Sequence, residues 1–255
     1  MNLPKVKFID MPLVSETSLI HCFLLPDKWN WSKYITKKHP TLKKALLLKN
    51  KKDQLAFVKK YISQFRKDKK EAIRRNKEKY ERQWRKIEKE SFKTLSEICG
   101  IDWPKNRKTI YAMISINPIC PRFLDSWSFS VFYNYKKTGD LMEVMPHECC
   151  HFLYFEKWKS LYPKMDRRKF DTPYIEWHLS EIVAPIILND KRIQRLLKKR
   201  ARFYPEHARL KIAGQTVQKY FTALYEKNVK KKKGIEVFLK EAYREIKDNK
   251  SLFKI

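Results

Sequence analysis

The chain has 255 residues, 43% of them hydrophobic, enough for one sizeable core or for one core with helical additions. Four glycines exclude long flexible linkers and leave the turns to Pro, Asn, Asp and Lys. A formal net charge of +30 has two readings: a polyanion partner (nucleic acid or an anionic membrane surface), or lysine-rich solvated helix faces.

In chain order, Val6 and Phe8, and then Leu19–Leu25, read as strands on either side of Pro12. From about Thr41 to Ile98 the pattern turns helical. Asp53 is expected to cap a helix whose apolar positions are Phe57, Val58, Tyr61, Ile62 and Phe65. A second, long helix carries one apolar stripe of Ile73, Tyr80, Trp84, Ile87, Leu95 and Ile98 among basic residues, and Gly100 can end it. Thr109–Ile116 reads as a strand stopped by Asn117-Pro118. Trp127–Tyr133 alternates apolar with small polar residues, as a half-buried strand at a sheet edge would. After a basic turn, a helix begins at Asp140, with Pro146 inside it, or at Pro146 itself, and runs to about Tyr162. A charged loop at Pro163–Asp171 precedes a helix ending at Leu188. Two amphipathic helices close the chain, one with Leu210, Ala213, Val217, Phe221 and Leu224, the other with Ile235, Phe238, Leu239, Ala242 and Ile246. The basic loop Lys230–Lys233 joins them.

No signal-peptide pattern opens the sequence, and no apolar run approaches a membrane span. Cys22, Cys99, Cys120, Cys149 and Cys150 include no CxxC pair. The adjacent Cys149 and Cys150 do not suit a mutual disulfide within a helix. A reduced, cytoplasmic chain is the expectation.

The chemistry concentrates at His147-Glu148-Cys149-Cys150-His151, which spells HExxH ahead of the apolar run Phe152–Phe155. On a helix, residues four apart lie one above the other, so both imidazoles can reach one zinc ion. Glu148 then stands where a general base for a metal-activated water belongs. Cys149 falls on roughly the opposite face, as a core residue. Cys150 flanks the metal face and is a minor ligand candidate.

This motif and the order of strands and helices around it resemble the zincin metallopeptidases over roughly Thr109 to Asp190. The resemblance implies an α+β, predominantly helical fold with a small mixed sheet packed on the HExxH helix, accompanied by basic amphipathic helices. It divides the chain into a basic helical region at 1–108, a catalytic core at 109–200 and a helical region at 201–255, within one compact unit. The metzincin continuation would put Gly at 154 and His at 157; Tyr154 and Lys157 exclude it. A gluzincin takes a glutamate from a later helix. Glu181, embedded in an apolar stretch, leads, because a buried carboxylate needs a counter-charge or a metal. Glu176 and His178 follow as alternatives. Pro185 stands where an orienting Asp is often found, which leaves the outer partners unassigned.

The implied reaction is peptide hydrolysis with one Zn²⁺ and Glu148 as base, on a peptide or protein substrate. Trp127–Tyr133 is the edge strand expected to hold that peptide. Tyr204, His207 and Tyr174 are candidates for stabilising the transition state. The alternative is a nucleic-acid-binding protein with a structural or vestigial metal site, or a protease recruited to DNA through its basic helices. Tyr80 and Trp84, which interleave with those basic residues, recur at core spacing, so packing accounts for them better than base stacking.

Overall fold

The computed structural model describes every residue except 1, 28, 137, 231–233 and 254–255, and only the backbone of 138 and 230. The elements run β1 (Lys5–Asp10), α1 (Leu13–Leu24), α2 (Trp31–Lys38), a 3₁₀ segment (Pro40–Leu47), α3 (Lys51–Asp68), α4 (Lys70–Arg85) and α5 (Glu88–Cys99). Then come β2 (Thr109–Ser115), β3 (Arg122–Phe123), β4 (Ser128–Phe132), α6 (Thr138–Leu161), a 3₁₀ segment (Arg167–Phe170) and α7 (Ile175–Leu188). The chain closes with α8 (Lys191–Leu197), α9 (Pro205–Arg209), β5 (Lys211–Ile212), β6 (Gln215–Thr216), α10 (Val217–Lys230), α11 (Gly234–Asp248) and a 3₁₀ turn (Lys250–Phe253). The fold is α+β and predominantly helical, with a small mixed sheet. No helix among the described residues is long and apolar enough to cross a membrane. The basic residues Lys231–Lys233 lie outside the described residues.

Two compact units form, and both are discontinuous in sequence; 108/109 is one of their boundaries and 200/201 is not. One comprises 5–86 and 109–144; the other 1–4, 87–108 and 145–255. We call them the sheet unit and the helical unit.

The sheet unit holds four strands in the order β1-β2-β4-β3. β1 pairs parallel with β2, with Val6 beside Ile110 and Phe8 beside Ala112. β2 pairs parallel with β4, and only the two-residue β3 is antiparallel. In β1, Val6 and Phe8 are buried while Lys5 and Lys7 are exposed, the period-two alternation of a one-faced strand. β4 corrects the sequence expectation of an edge. All five of its residues are buried and it is flanked by β2 and β3, so Ser128 and Ser130 are interior serines.

The helices of this unit bring three more corrections. Leu19–Leu25 belongs to α1, apart from Leu25 at its C-cap, and is not a strand; a short continuous apolar run fits either element. α1 turns Glu16 inward, where Ser115 donates to its carboxylate at 2.6 Å and the Ile116 N–H at 2.7 Å. Arg66 of α3 pairs with it, although burial still pushes its pKa above the ordinary carboxylate value. Asn50, not Asp53, caps α3: its side chain accepts from the Asp53 N–H at 2.9 Å. The long second helix is interrupted at Lys86–Ile87, yielding α4 and α5. On α4, Tyr80 and Trp84 are buried, and the Tyr80 hydroxyl donates to the Tyr133 carbonyl. Arg85 donates to the Val6 carbonyl at 2.8 Å.

In the helical unit, Gly100 ends α5 in the left-handed conformation, φ 57°, as glycine at this place allows. α6 runs through Pro146 and is one 24-residue helix starting at Thr138, so Asp140 lies in its first turn instead of capping it. α7 is buried on every side from Glu176 to Leu188. A helix buried on every side lies in a core, and the polar side chains of α7 must find their partners there. Leu210 and Ala213 are not helical: a hairpin of β5 and β6 turns at Ala213-Gly214, both at positive φ, and α10 begins only at Val217.

Candidate metal centre

The motif lies in the middle of α6, where the four-residue spacing stacks His147 over His151. Their Nε2 atoms are 2.9 Å apart. α7 brings in Glu181: one carboxylate oxygen lies 3.2 Å from His147 Nε2 and the other 3.4 Å from His151 Nε2. All three ligand atoms lie within 4.8 Å of one another. Four donors at about 2.0–2.1 Å from a tetrahedral ion would stand about 3.3 Å apart. The observed separations bracket that figure. Two imidazole nitrogens and a carboxylate oxygen are also a donor set that zinc accepts. The residues therefore fit a divalent ion.

The surroundings are dry. The side chain of His151 is 0% exposed and that of Glu181 2%, while that of His147 reaches 15%. The cluster thus meets solvent at His147. The His151 ring stacks on Phe155, which packs on Phe170. Glu148, directly after His147, is buried, 7% exposed.

Other sequence candidates find different places. Glu176 is buried, but it accepts a hydrogen bond from the Tyr243 hydroxyl at 2.7 Å and faces Lys169 at 3.9 Å. His178 Nδ1 and His207 Nε2 lie 2.8 Å apart, so one ring donates to the other. Phe253 packs against both rings. Burial holds the His207 pKa down at about 4, against the opposing pull of the nearby Glu181 carboxylate. His207 is therefore a neutral, buried imidazole within electrostatic reach of Glu181. Tyr204 packs its ring against Trp177 and His207. Tyr174 is 40% exposed at the start of α7, within electrostatic reach of Arg168.

Neither motif cysteine joins the group. Cys150 makes a thiol hydrogen bond with Cys99 of α5, and this contact, with burial, pushes its pKa well up. Burial does the same to Cys149, helped by Glu88 and Glu148. Protonated core thiols are poor metal ligands. Sequence reasoning missed the Cys99 contact, the Tyr243 partner of Glu176 and the His178–His207 pair. All three join segments far apart in the chain, and no local spacing announces them.

No protein-family model, curated protein or solved structure matches the chain. The functional reading therefore rests on this geometry.

Proposed function

We propose that the chain is a zinc-dependent metallopeptidase of the zincin kind, holding one ion with His147, His151 and Glu181. The carrying observation is the convergence of two Nε2 atoms and a buried carboxylate from two helices on one point. Such a carboxylate needs strong compensation, and a divalent cation supplies it. When bound, zinc lowers the pKa of a water and polarises a carbonyl. Glu148, directly after the first ligand, accepts the proton of the attacking water and passes it to the leaving amine. His207 lies within electrostatic reach of the Glu181 carboxylate, and the His178 ring hydrogen-bonds His207. Strand addition at Trp127–Tyr133 drops out of the reading, because β4 is interior. Glu148→Gln should retain stoichiometric zinc and abolish cleavage of a peptide library. Purified protein without metal, or a Glu148→Gln variant that cleaves like the parent, would sink the proposal.

A second reading, nucleic-acid binding, draws on the surfaces of α3 and α4, where Lys51, Lys52, Lys59, Lys60, Arg75 and Lys79 are exposed. Buried Tyr80 and Trp84 offer no stacking platform, so this reading is electrostatic alone. A DNA affinity that falls steeply with salt supports it, and no binding at moderate salt removes it.

A further inference from the structure

In the sheet unit, the carboxyl ends of three parallel strands meet one face of α3 and α4. Asp10 ends β1, Ser115 ends β2 and Tyr133 follows β4, and all three border a crevice of about 360 Å³. That volume lies within the range of small-molecule sites. The carboxyl ends of parallel strands are also where open α/β sheets bind ligands.

The lining has two characters. Its floor is apolar: Ile73, Ile114, Ile116 and the Tyr133 ring. Its rim is cationic: Arg66, Lys70, Arg74 and Lys77. These recur at intervals of four, four and three, and the Lys69 N–H bonds the Phe65 carbonyl across the α3–α4 break, so they form one stripe.

The counter-charges decide which cations a ligand can use. Arg66 is committed to Glu16, which is fully buried. Lys77 pairs with Asp10 at 2.9 Å inside the crevice. Arg74 pairs with Glu71 and Glu78 of its own helix, and all three side chains are 46–66% exposed. Exposed pairs of this kind are weak and exchange readily for another anion. Lys70 is exposed, and among the described residues no carboxylate pairs with it. Lys70 and Arg74 are thus the two available cations. Their four-residue spacing puts both side chains on one face of α4, so both can reach one chain of linked phosphates.

We infer that this crevice binds a small organic diphosphate or triphosphate, its phosphates on Lys70 and Arg74 and its apolar body on the isoleucine and tyrosine floor. The inference is independent of the peptidase reading, since zinc enters neither the site nor the measurement. Titration calorimetry on the full chain tests it, with ADP as probe beside inorganic pyrophosphate and adenosine. ADP should bind one per chain, pyrophosphate more weakly, and adenosine not measurably. Lys70→Glu and Arg74→Glu should each weaken ADP by about tenfold or more. Lys52→Glu makes the same charge change at an exposed position of α3 outside the crevice, and should leave the affinity unchanged. No ADP binding at millimolar concentration, or equal weakening by Lys52→Glu, would overturn the site. Pyrophosphate binding as tightly as ADP would overturn the organic ligand.

Discussion

α7 and α4 are helices of similar length, 14 and 16 residues, and opposite surroundings. Every residue of α7 from Glu176 onward is buried, whereas α4 buries only Tyr80 and Trp84. On α7 each polar side chain has an identifiable partner: Glu176 the Tyr243 hydroxyl, His178 the His207 ring, Ser180 the Trp177 carbonyl, and Glu181 the two motif histidines. On α4 most charged side chains face solvent: Arg74 pairs with the exposed Glu71 and Glu78 of its own helix, Arg85 with Glu81 and the Val6 carbonyl, and Lys77 with the exposed Asp10. The difference teaches where sequence is informative. A charge inside an apolar helix must be compensated by something specific, so its presence predicts a contact. A charge on a solvated helix is satisfied anywhere and predicts little.

Three substitutions press on this contrast. The largest effect is expected at Glu181→Ala, which should weaken zinc binding by more than about 100-fold, beyond what loss of an outer partner causes. Metal titration of the purified variant, with circular dichroism to confirm its helices, decides it; unchanged stoichiometry would break the assignment of α7 to the site. Next comes Glu176→Ala, five residues away and equally buried. It leaves the Tyr243 hydroxyl without its acceptor and should cost about 1–3 kcal/mol in denaturant unfolding, while zinc content stays that of the parent. Zinc loss there would mean that Glu176, not Glu181, completes the cluster. The smallest effect is expected at Arg75→Ala on the solvated face of α4, where the melting temperature should move by no more than roughly 2 °C.

The His147–His151–Glu181 cluster was legible because its parts are local or strongly marked. HExxH fixes its own geometry through helical spacing, and Glu181 stands out against Ile182, Val183 and the apolar residues beyond. The place of β4 was not legible. Its interior position depends on β3, two residues long and without any pattern of its own. The β5–β6 hairpin hides for a related reason. Leu210 and Ala213 happen to sit at helical spacing from Val217, and only the Ala213-Gly214 pair, at φ 47° and 77°, betrays the turn. The crevice of the sheet unit escaped notice because Lys70 and Arg74 read as one more stretch of solvated helix. It becomes visible only when three strand ends, far apart in sequence, arrive beneath them.

The Arg85 hydrogen bond to the Val6 carbonyl bears on how copies of this chain treat one another. β1 is an outer strand, and an outer strand offers its backbone as a template for another molecule. Here a guanidinium already occupies a carbonyl of that strand, and Lys5 and Lys7 project from its exposed positions. A second copy adding along β1 would have to displace Arg85 and bring lysines against lysines. Part of the chain's large positive charge thus lies along the outer strand, where it disfavours strand addition by a second copy.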